Sequence, residues 1–326
     1  MEERPEAAAR AIACYDFLRT LPDRGGIAMR RILLRTLGAL VVILVVLVAF
    51  VFARSELALR KRWTIEEAAL AVPVGDDAVA RGEHLAITRG CTDCHDKDLG
   101  GRVMMEVPAI GRMAGPNLTQ GSGGLPATFG DADFERAIRH GVKPDGHAIL
   151  FMPTRDFAAL SDADTADLIA YVKSRPSVDR TLAPSYIGPV GRALFAFGQL
   201  PMLEARLIDH SKPHVARIEN AATVEFGDYL ARACTGCHGQ HFSGGPIPGV
   251  PPDFPVPANI TPDAATGLGA YTKDDFYRVF REGRKRDGSA VNTFMPWQAM
   301  GRFTDTELDA LWAYLRTVPA LPKGHR

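Results

Sequence analysis

The sequence predicts an all-α chain: one N-terminal transmembrane helix followed by two tandem small helical domains. Three observations carry that expectation. An apolar run near the N-terminus is long enough to cross a bilayer. The chain beyond it repeats itself, with Cys91, Phe151 and Tyr171 recurring at one constant offset as Cys234, Phe294 and Tyr314. Neither repeat holds an alternating apolar run long enough for a strand.

From Thr36 to Phe52 no residue is charged, and the longer stretch Ile32–Ala53 carries Arg35 as its single charge. At about 1.5 Å rise per residue, such a helix crosses a hydrocarbon layer of about 30 Å. Apolar residues on every face are out of place on a soluble helix of that length. Arg24, Arg30, Arg31 and Arg35 before the segment are balanced by Arg54, Arg60, Lys61 and Arg62 after it, so charge counting leaves the orientation open. Residues 1–31 form a tail ahead of the span, with Met29 as an alternative start. Val51-Phe-Ala53 has the small-residue pattern of a cleavage site, but the stretch is long for the apolar part of a signal peptide. A retained helix at 32–53 is the expectation. Acidic and basic residues balance at 38 each, and no basic stripe interleaves with aromatics, which argues against nucleic acid as a partner.

The repeat keeps register through both halves. Cys91-Thr-Asp-Cys94-His95 recurs as Cys234-Thr-Gly-Cys237-His238, Asn117-Leu-Thr as Asn259-Ile-Thr, and Asp133-Phe-Glu-Arg as Asp275-Phe-Tyr-Arg. Phe151-Met152-Pro153 recurs as Phe294-Met295-Pro296, and Tyr171 as Tyr314. Ahead of the cysteines, Ala78, Gly82, Leu85 and Ala86 share one helical face, as do Phe226, Gly227, Leu230 and Ala231. Short helices follow from Asp133 and Asp275. Thr304-Asp-Thr-Glu307 is a capping box opening a last helix with Leu308, Leu311, Trp312 and Leu315 inward; its twin starts at Ser161. Pro176 and Pro319 lie just beyond these helices. The joining stretch 177–220 is too apolar for a free linker and is expected to pack across the two domains rather than on a membrane surface.

Of the five cysteines, Cys14 stands apart and has no assigned role. The other four form the two Cys-X-X-Cys-His pentapeptides. Two thiols one helical turn apart match the two vinyl groups of one haem, which they bind as thioethers, and the next histidine presents its ring to the iron. A thioredoxin-like pair would need a βαβ context that is absent. One shared zinc would have to gather Cys91 and Cys94 with Cys234 and Cys237, pairs far apart in the chain and each embedded in its own repeat. Two covalently bound haem c groups are therefore expected, on Cys91 and Cys94 and on Cys234 and Cys237.

The repeat also points to the second axial ligands. The interval from His95 to Met152 equals that from His238 to Met295, whereas Met104, Met105, Met113 and Met202 have no counterpart in the other half. A methionine is ordinarily core packing, but one held in Phe-Met-Pro at a fixed distance from a haem histidine is an expected iron ligand. His140 and His147 face Glu282 and Ser289, so neither is a shared ligand. The expected iron ligands are His95, Met152, His238 and Met295. Pro116 and Pro257 are candidates for the carbonyl that accepts each histidine's other ring N–H, or else ordinary turn prolines. Arg102 and Arg112 are candidate propionate partners, with solvated arginines the plainer reading. Pro246 to Pro257 reads as a rigid loop wall.

On these residues each repeat resembles a class I cytochrome c domain, over 75–176 and 221–319, with Gly82 and Gly227 placed to let the first helix cross the last beside Tyr171 and Tyr314. The tandem is similar to the dihaem and multihaem cytochromes that serve membrane-bound dehydrogenases, including the cytochrome subunit of bacterial alcohol dehydrogenases, although a third attachment motif is lacking. The resemblance implies an electron carrier with no substrate chemistry of its own. It would relay single electrons from a dehydrogenase or quinol-oxidising partner to an oxidase or soluble cytochrome. Because such haem attachment takes place outside the cytoplasm in bacteria, the haem domains are expected in the periplasm, anchored by a single pass in the inner membrane. Two alternatives share parts of the pattern. One is the two-haem subunit of a cbb-type haem-copper oxidase; the other is a dihaem peroxidase or thiosulfate dehydrogenase, which needs an open or unusual distal ligand.

Overall fold

A computed structural model describes residues 24–65, 70–200, 202–248, 250 and 252–326, with side chains from Met29 onward in the first helix. Cys14 and most of the expected tail lie outside the described residues. The chain divides into two compact units, 1–53 and 54–326.

Helix α1 (Arg24–Leu59) is continuous through the apolar run. Within Met29–Leu59 an 18-residue window reaches a mean hydropathy of 3.0, and the helix is long and apolar enough to cross a membrane. Leu40, Val42, Ile43 and Val45 each stand more than half exposed on successive faces, an arrangement that lipid tolerates and water does not.

The second unit is built twice over. Its first half runs α2 (Asp76–Thr88), α3 (Cys91–His95), strands β1 (Arg102–Val107) and β2 (Gly111–Gly115), then α4 (Asp131–Glu135), which continues as a π turn over Arg136–His140, α5 (Thr154–Phe157) and α6 (Asp162–Ser174). The joining stretch supplies β3 (Tyr186–Ile187), α7 (Pro189–Ala196) and a short 3-10 turn. The second half runs α8 (Val224–Ala231), α9 (Thr235–His238), α10 (Lys273–Arg281), α11 (Trp297–Met300) and α12 (Asp305–Leu315).

The caps read from the sequence are present. Ser161 Oγ accepts the Asp164 N–H at 3.2 Å, and Thr304 and Glu307 cap each other reciprocally. Within each half the first helix crosses the last at a glycine. A Cβ on Gly82 would stand 2.0 Å from the Asp167 carbonyl and 2.6 Å from Tyr171 Cβ; on Gly227 it would stand 2.0 Å from the Ala310 carbonyl and 2.6 Å from Tyr314 Cβ. One buried apolar cluster joins the halves, with Leu85, Leu168, Ile169 and Val172 from the first and Leu230, Phe276, Leu308 and Leu311 from the second.

The all-α expectation needs correction. β1, β2 and β3 form an antiparallel sheet in that order, with Arg102 opposite Gly115, Val107 opposite Gly111, and Arg112 opposite Tyr186. A bulge between Val103 and Met105 breaks the in–out alternation, and β1 buries no face, so the periodicity that betrays a strand is missing. The corresponding stretch of the second half is the proline-rich 246–257, whose prolines have no N–H to give a ladder. No strand forms there among the described residues.

In the joining stretch, the buried side chains Ile187, Phe195, Met202, Leu203 and Ala205 cluster with Val142 and Ala148 of the first half and with Ala58 at the end of α1, while Ile218 packs against the apolar cluster that both halves share. Further on it meets the N-terminus of α6, where Asp162 and Ala163 donate to the carbonyls of Val215 and Ala216 at 2.9 and 3.1 Å.

Because backbone carbonyls oppose Gly82 and Gly227, no rotamer change relieves an added methyl group. Gly82→Ala and Gly227→Ala should each cost about 1–3 kcal/mol net, despite alanine's better helix propensity of about 1 kcal/mol. Denaturant unfolding checks this; an unchanged midpoint would refute the crossing.

Candidate functional site

The two pentapeptides fold alike. Cys91–His95 is a single helical turn entered through Gly90 in the left-handed region, and Cys234–His238 is a 3-10 turn running into α9. One turn of helix sets both thiols of a pair on the same side. Burial pushes the Cys91 and Cys234 thiols up to about 12 and raises those of Cys94 and Cys237. They are neutral thiols, not thiolates poised for redox exchange or zinc. No three His, Cys, Asp or Glu side chains gather as a metal cluster among the described residues.

Each histidine is oriented by a backbone carbonyl. His95 Nδ1 lies 2.9 Å from the Pro116 carbonyl and His238 Nδ1 lies 2.7 Å from that of Ala258. Burial lowers both imidazole pKa values, against the raising effect of those bonds. The rings are therefore neutral, and a carbonyl can only accept, so the proton sits on Nδ1. Each Nε2 keeps its lone pair and has no hydrogen-bond partner among the described residues.

The Pro116 candidate holds, whereas Pro257 does not serve the second histidine; its carbonyl accepts Gly245 N–H at 3.1 Å. The repeat could have shown this, because the offset that takes Asn117 to Asn259 takes Pro116 to Ala258.

A tight loop returns the chain from each histidine to that carbonyl. Gly101 N–H donates to the His95 carbonyl, and Gly244 N–H to that of His238, both at 2.8 Å. Both glycines have positive φ, 84° and 64°, and a Cβ at Gly244 would stand 2.2 Å from the Ala258 carbonyl. The Asn-X-Thr segments clamp the chain that leaves each last helix. Asn117 Oδ1 accepts the Thr119 N–H and hydroxyl while its Nδ2 donates to the Val178 carbonyl at 2.6 Å. Asn259 does the same with Thr261 and the Leu321 carbonyl at 2.7 Å.

The methionine segments share one turn. The Met152 carbonyl accepts Thr154 N–H at 2.8 Å and the Met295 carbonyl accepts Trp297 N–H at 2.7 Å. Between them Pro153 and Pro296 have φ, ψ of −78°, 58° and −77°, 53°, the inverse γ-turn that proline's fixed φ preselects. Met152, Met295, Cys91 and Cys234 all border the shared apolar cluster. Neutral imidazoles with a bare Nε2, paired neutral thiols and a thioether beside one apolar cluster fit a covalently held haem. Arg112, a candidate for propionates, is engaged by Glu106 and lies over the Tyr186 ring, and Arg102 is exposed on β1.

A profile of the cytochrome c family matches residues 79–176 and again 227–319. The chain belongs to the cytochrome c family. Its cytochrome c domains imply covalently bound haem c. It is 26% identical over 291 residues to the cytochrome c subunit of the quinone-dependent alcohol dehydrogenase of Gluconobacter oxydans, covering 79% of this chain and 58% of that one. It is 40% identical over 101 residues to the gluconate 2-dehydrogenase cytochrome c subunit of Pantoea cypripedii, covering 29% and 23%. A dihaem c-type cytochrome of Cereibacter sphaeroides is 25% identical over 274 residues, covering 74% and 86%. The chain thus spans little more than half the length of the alcohol dehydrogenase subunit, and less of the gluconate one.

Two groups beside the site carry no motif and were missed in the sequence. Arg89 is buried between the halves. Asp156 of α5 places a carboxylate oxygen 3.3 Å from where a Cβ on Gly236, between Cys234 and Cys237, would stand. Burial, with Glu204 beside it, pushes the Asp156 carboxyl up to about 7. An acid raised in the fold stabilises it fully below its unfolded value of about 4 and loses that contribution as pH climbs through about 7. Guanidinium unfolding should show stability falling from pH 4 to 7, with the fall shallower in Asp156→Asn; equal slopes would refute the burial.

Proposed function

We propose that the chain is a two-haem electron relay held at a membrane by one helix. Residues 75–176 and 221–319 are its haem domains, joined by 177–220. Cys91 and Cys94 hold one haem c through thioethers, and Cys234 and Cys237 hold the other. His95 with Met152, and His238 with Met295, would hold the two irons. The observation that carries this reading is the histidine arrangement found twice, with Nδ1 tied to a carbonyl and Nε2 left bare.

When bound, each haem iron supplies reversible one-electron chemistry. The protein does the rest. The carbonyls of Pro116 and Ala258 fix each imidazole's tautomer and plane and raise its basicity. The proline-locked turns fix the backbone at Met152 and Met295, whose thioethers would favour the ferrous state and raise the potential. A histidine and a methionine at each iron would leave no position for a substrate, which supports relay over peroxidase-type chemistry. The relatives' names support a membrane dehydrogenase as donor, with electrons leaving to an oxidase or soluble cytochrome. The helix at 32–53 then anchors the relay in the bacterial inner membrane with the haem domains in the periplasm.

Met152→Ala and Met295→Ala should each leave haem covalently bound, lower the potential of that site alone and let carbon monoxide bind the ferrous iron. Mass analysis, potentiometry and carbon monoxide difference spectra read the three effects. Failure of carbon monoxide to bind an altered site would remove that methionine from the ligand set.

A further inference from the structure

Arg89 is 7% exposed and lies in the seam between the two halves. It stands just ahead of Cys91 in the chain. Its Nη1 donates to the Leu230 carbonyl at 3.2 Å, one helical turn ahead of Cys234, and its guanidinium carbon stands 5.1 Å from the centroid of the Tyr229 ring. Nε and Nη2 are buried with no hydrogen-bond partner, and no carboxylate forms an ion pair with this side chain among the described residues.

An unpaired cation in such a place is costly. Asp164, which shares Tyr229 with Arg89, is occupied: it accepts the Tyr229 hydroxyl at 2.5 Å. Asp156, the acid that feels the Arg89 field, is the one burial pushes up to about 7, so at neutral pH much of it is uncharged. The repeat supplies a contrast: Arg232, the counterpart of Arg89, is turned outward and paired with Asp228 at 3.0 Å. One half has turned its arginine into the seam and the other has not.

We propose that Arg89 is a redox-tuning residue shared by both haem sites, its buried unpaired charge raising both reduction potentials together. The inference rests on the two-haem reading above. Reduction adds one negative charge to each site, and a buried cation favours that state because little water screens it. The same guanidinium sits at the start of one attachment turn and is bonded one helical turn ahead of the other, so its field reaches both pairs and works against the burial that raises the Cys91 and Cys234 thiols.

The test is mediated potentiometric titration of the full-length, haem-loaded protein and of Arg89→Met, Arg89→Lys and Arg232→Gln. Arg89→Met keeps the stem's volume and removes an unpaired buried charge, a change expected to be tolerated; Arg89→Gln is the second choice should it not fold. Both midpoint potentials should fall in Arg89→Met or Arg89→Gln, return toward wild type in Arg89→Lys, and stay in place in Arg232→Gln. Potentials unmoved by loss of Arg89, or a fall confined to one haem, overturns the shared role. Haem mass and the near-infrared methionine band of the same wild-type sample report separately on the two-haem reading, so its failure is not confused with this one.

Discussion

The close crossing of the first and last helices is the constraint on which each half depends. Backbone of α6 or α12 occupies the space where a side chain at Gly82 or Gly227 would stand. The attachment turn begins at the end of that crossing, so its two thiols and its histidine take their position from the helix pair. The return loop then brings a carbonyl to the histidine, and the asparagine clamp ties the loop to the chain leaving the last helix. The glycine crossing thus sets the helix pair from which the attachment turn starts, and the carbonyls of Pro116 and Ala258 then orient the imidazoles.

Duplication preserved this frame and let its surroundings diverge. In the first half the hairpin around Val142 and Ala148 is covered, with Trp63 N–H donating to the Gly146 carbonyl at 2.9 Å and Phe151 N–H to that of Met202 at 3.0 Å. The same hairpin in the second half, with Arg284, Lys285 and Arg286, is exposed, and so is Phe294 beside Met295. A sheet lies against one half where prolines form the loop of the other. The hairpin of the first half is covered by the chain's own joining stretch and by residues at the end of α1, whereas among the described residues that of the second half is largely exposed.

The seam between the halves is polar as well as apolar. The Tyr229 hydroxyl accepts the Ser161 N–H at 3.1 Å while donating to Asp164, and burial with that carboxylate nearby pushes the phenol up to about 12. His84 and Glu307 meet across it. Such groups are satisfied only in one relative placement of the halves, so they specify that placement in a way apolar packing does not.

Much of the site was legible in the sequence because its chemistry is local. Cys-X-X-Cys-His is one turn of chain, the capping box runs only from Thr304 to Glu307, and Phe-Met-Pro carries its own γ-turn in the proline. Repetition then set Met152 and Met295 apart from the methionines with no counterpart in the other half. Spacing alone also announced the apolar span and the doubled domain. The strands were not legible: a bulge and a hairpin without a buried face erase the strand period, and the third strand, Tyr186–Ile187, arrives from beyond the last helix of the first half. Nor were Arg89 and Asp156 legible, whose burial and partners come from elements far along the chain. Covalent spacing determines what a segment can bind, whereas the field and the solvent a side chain meets depend on which distant segments close over it, and only the tertiary structure decides that.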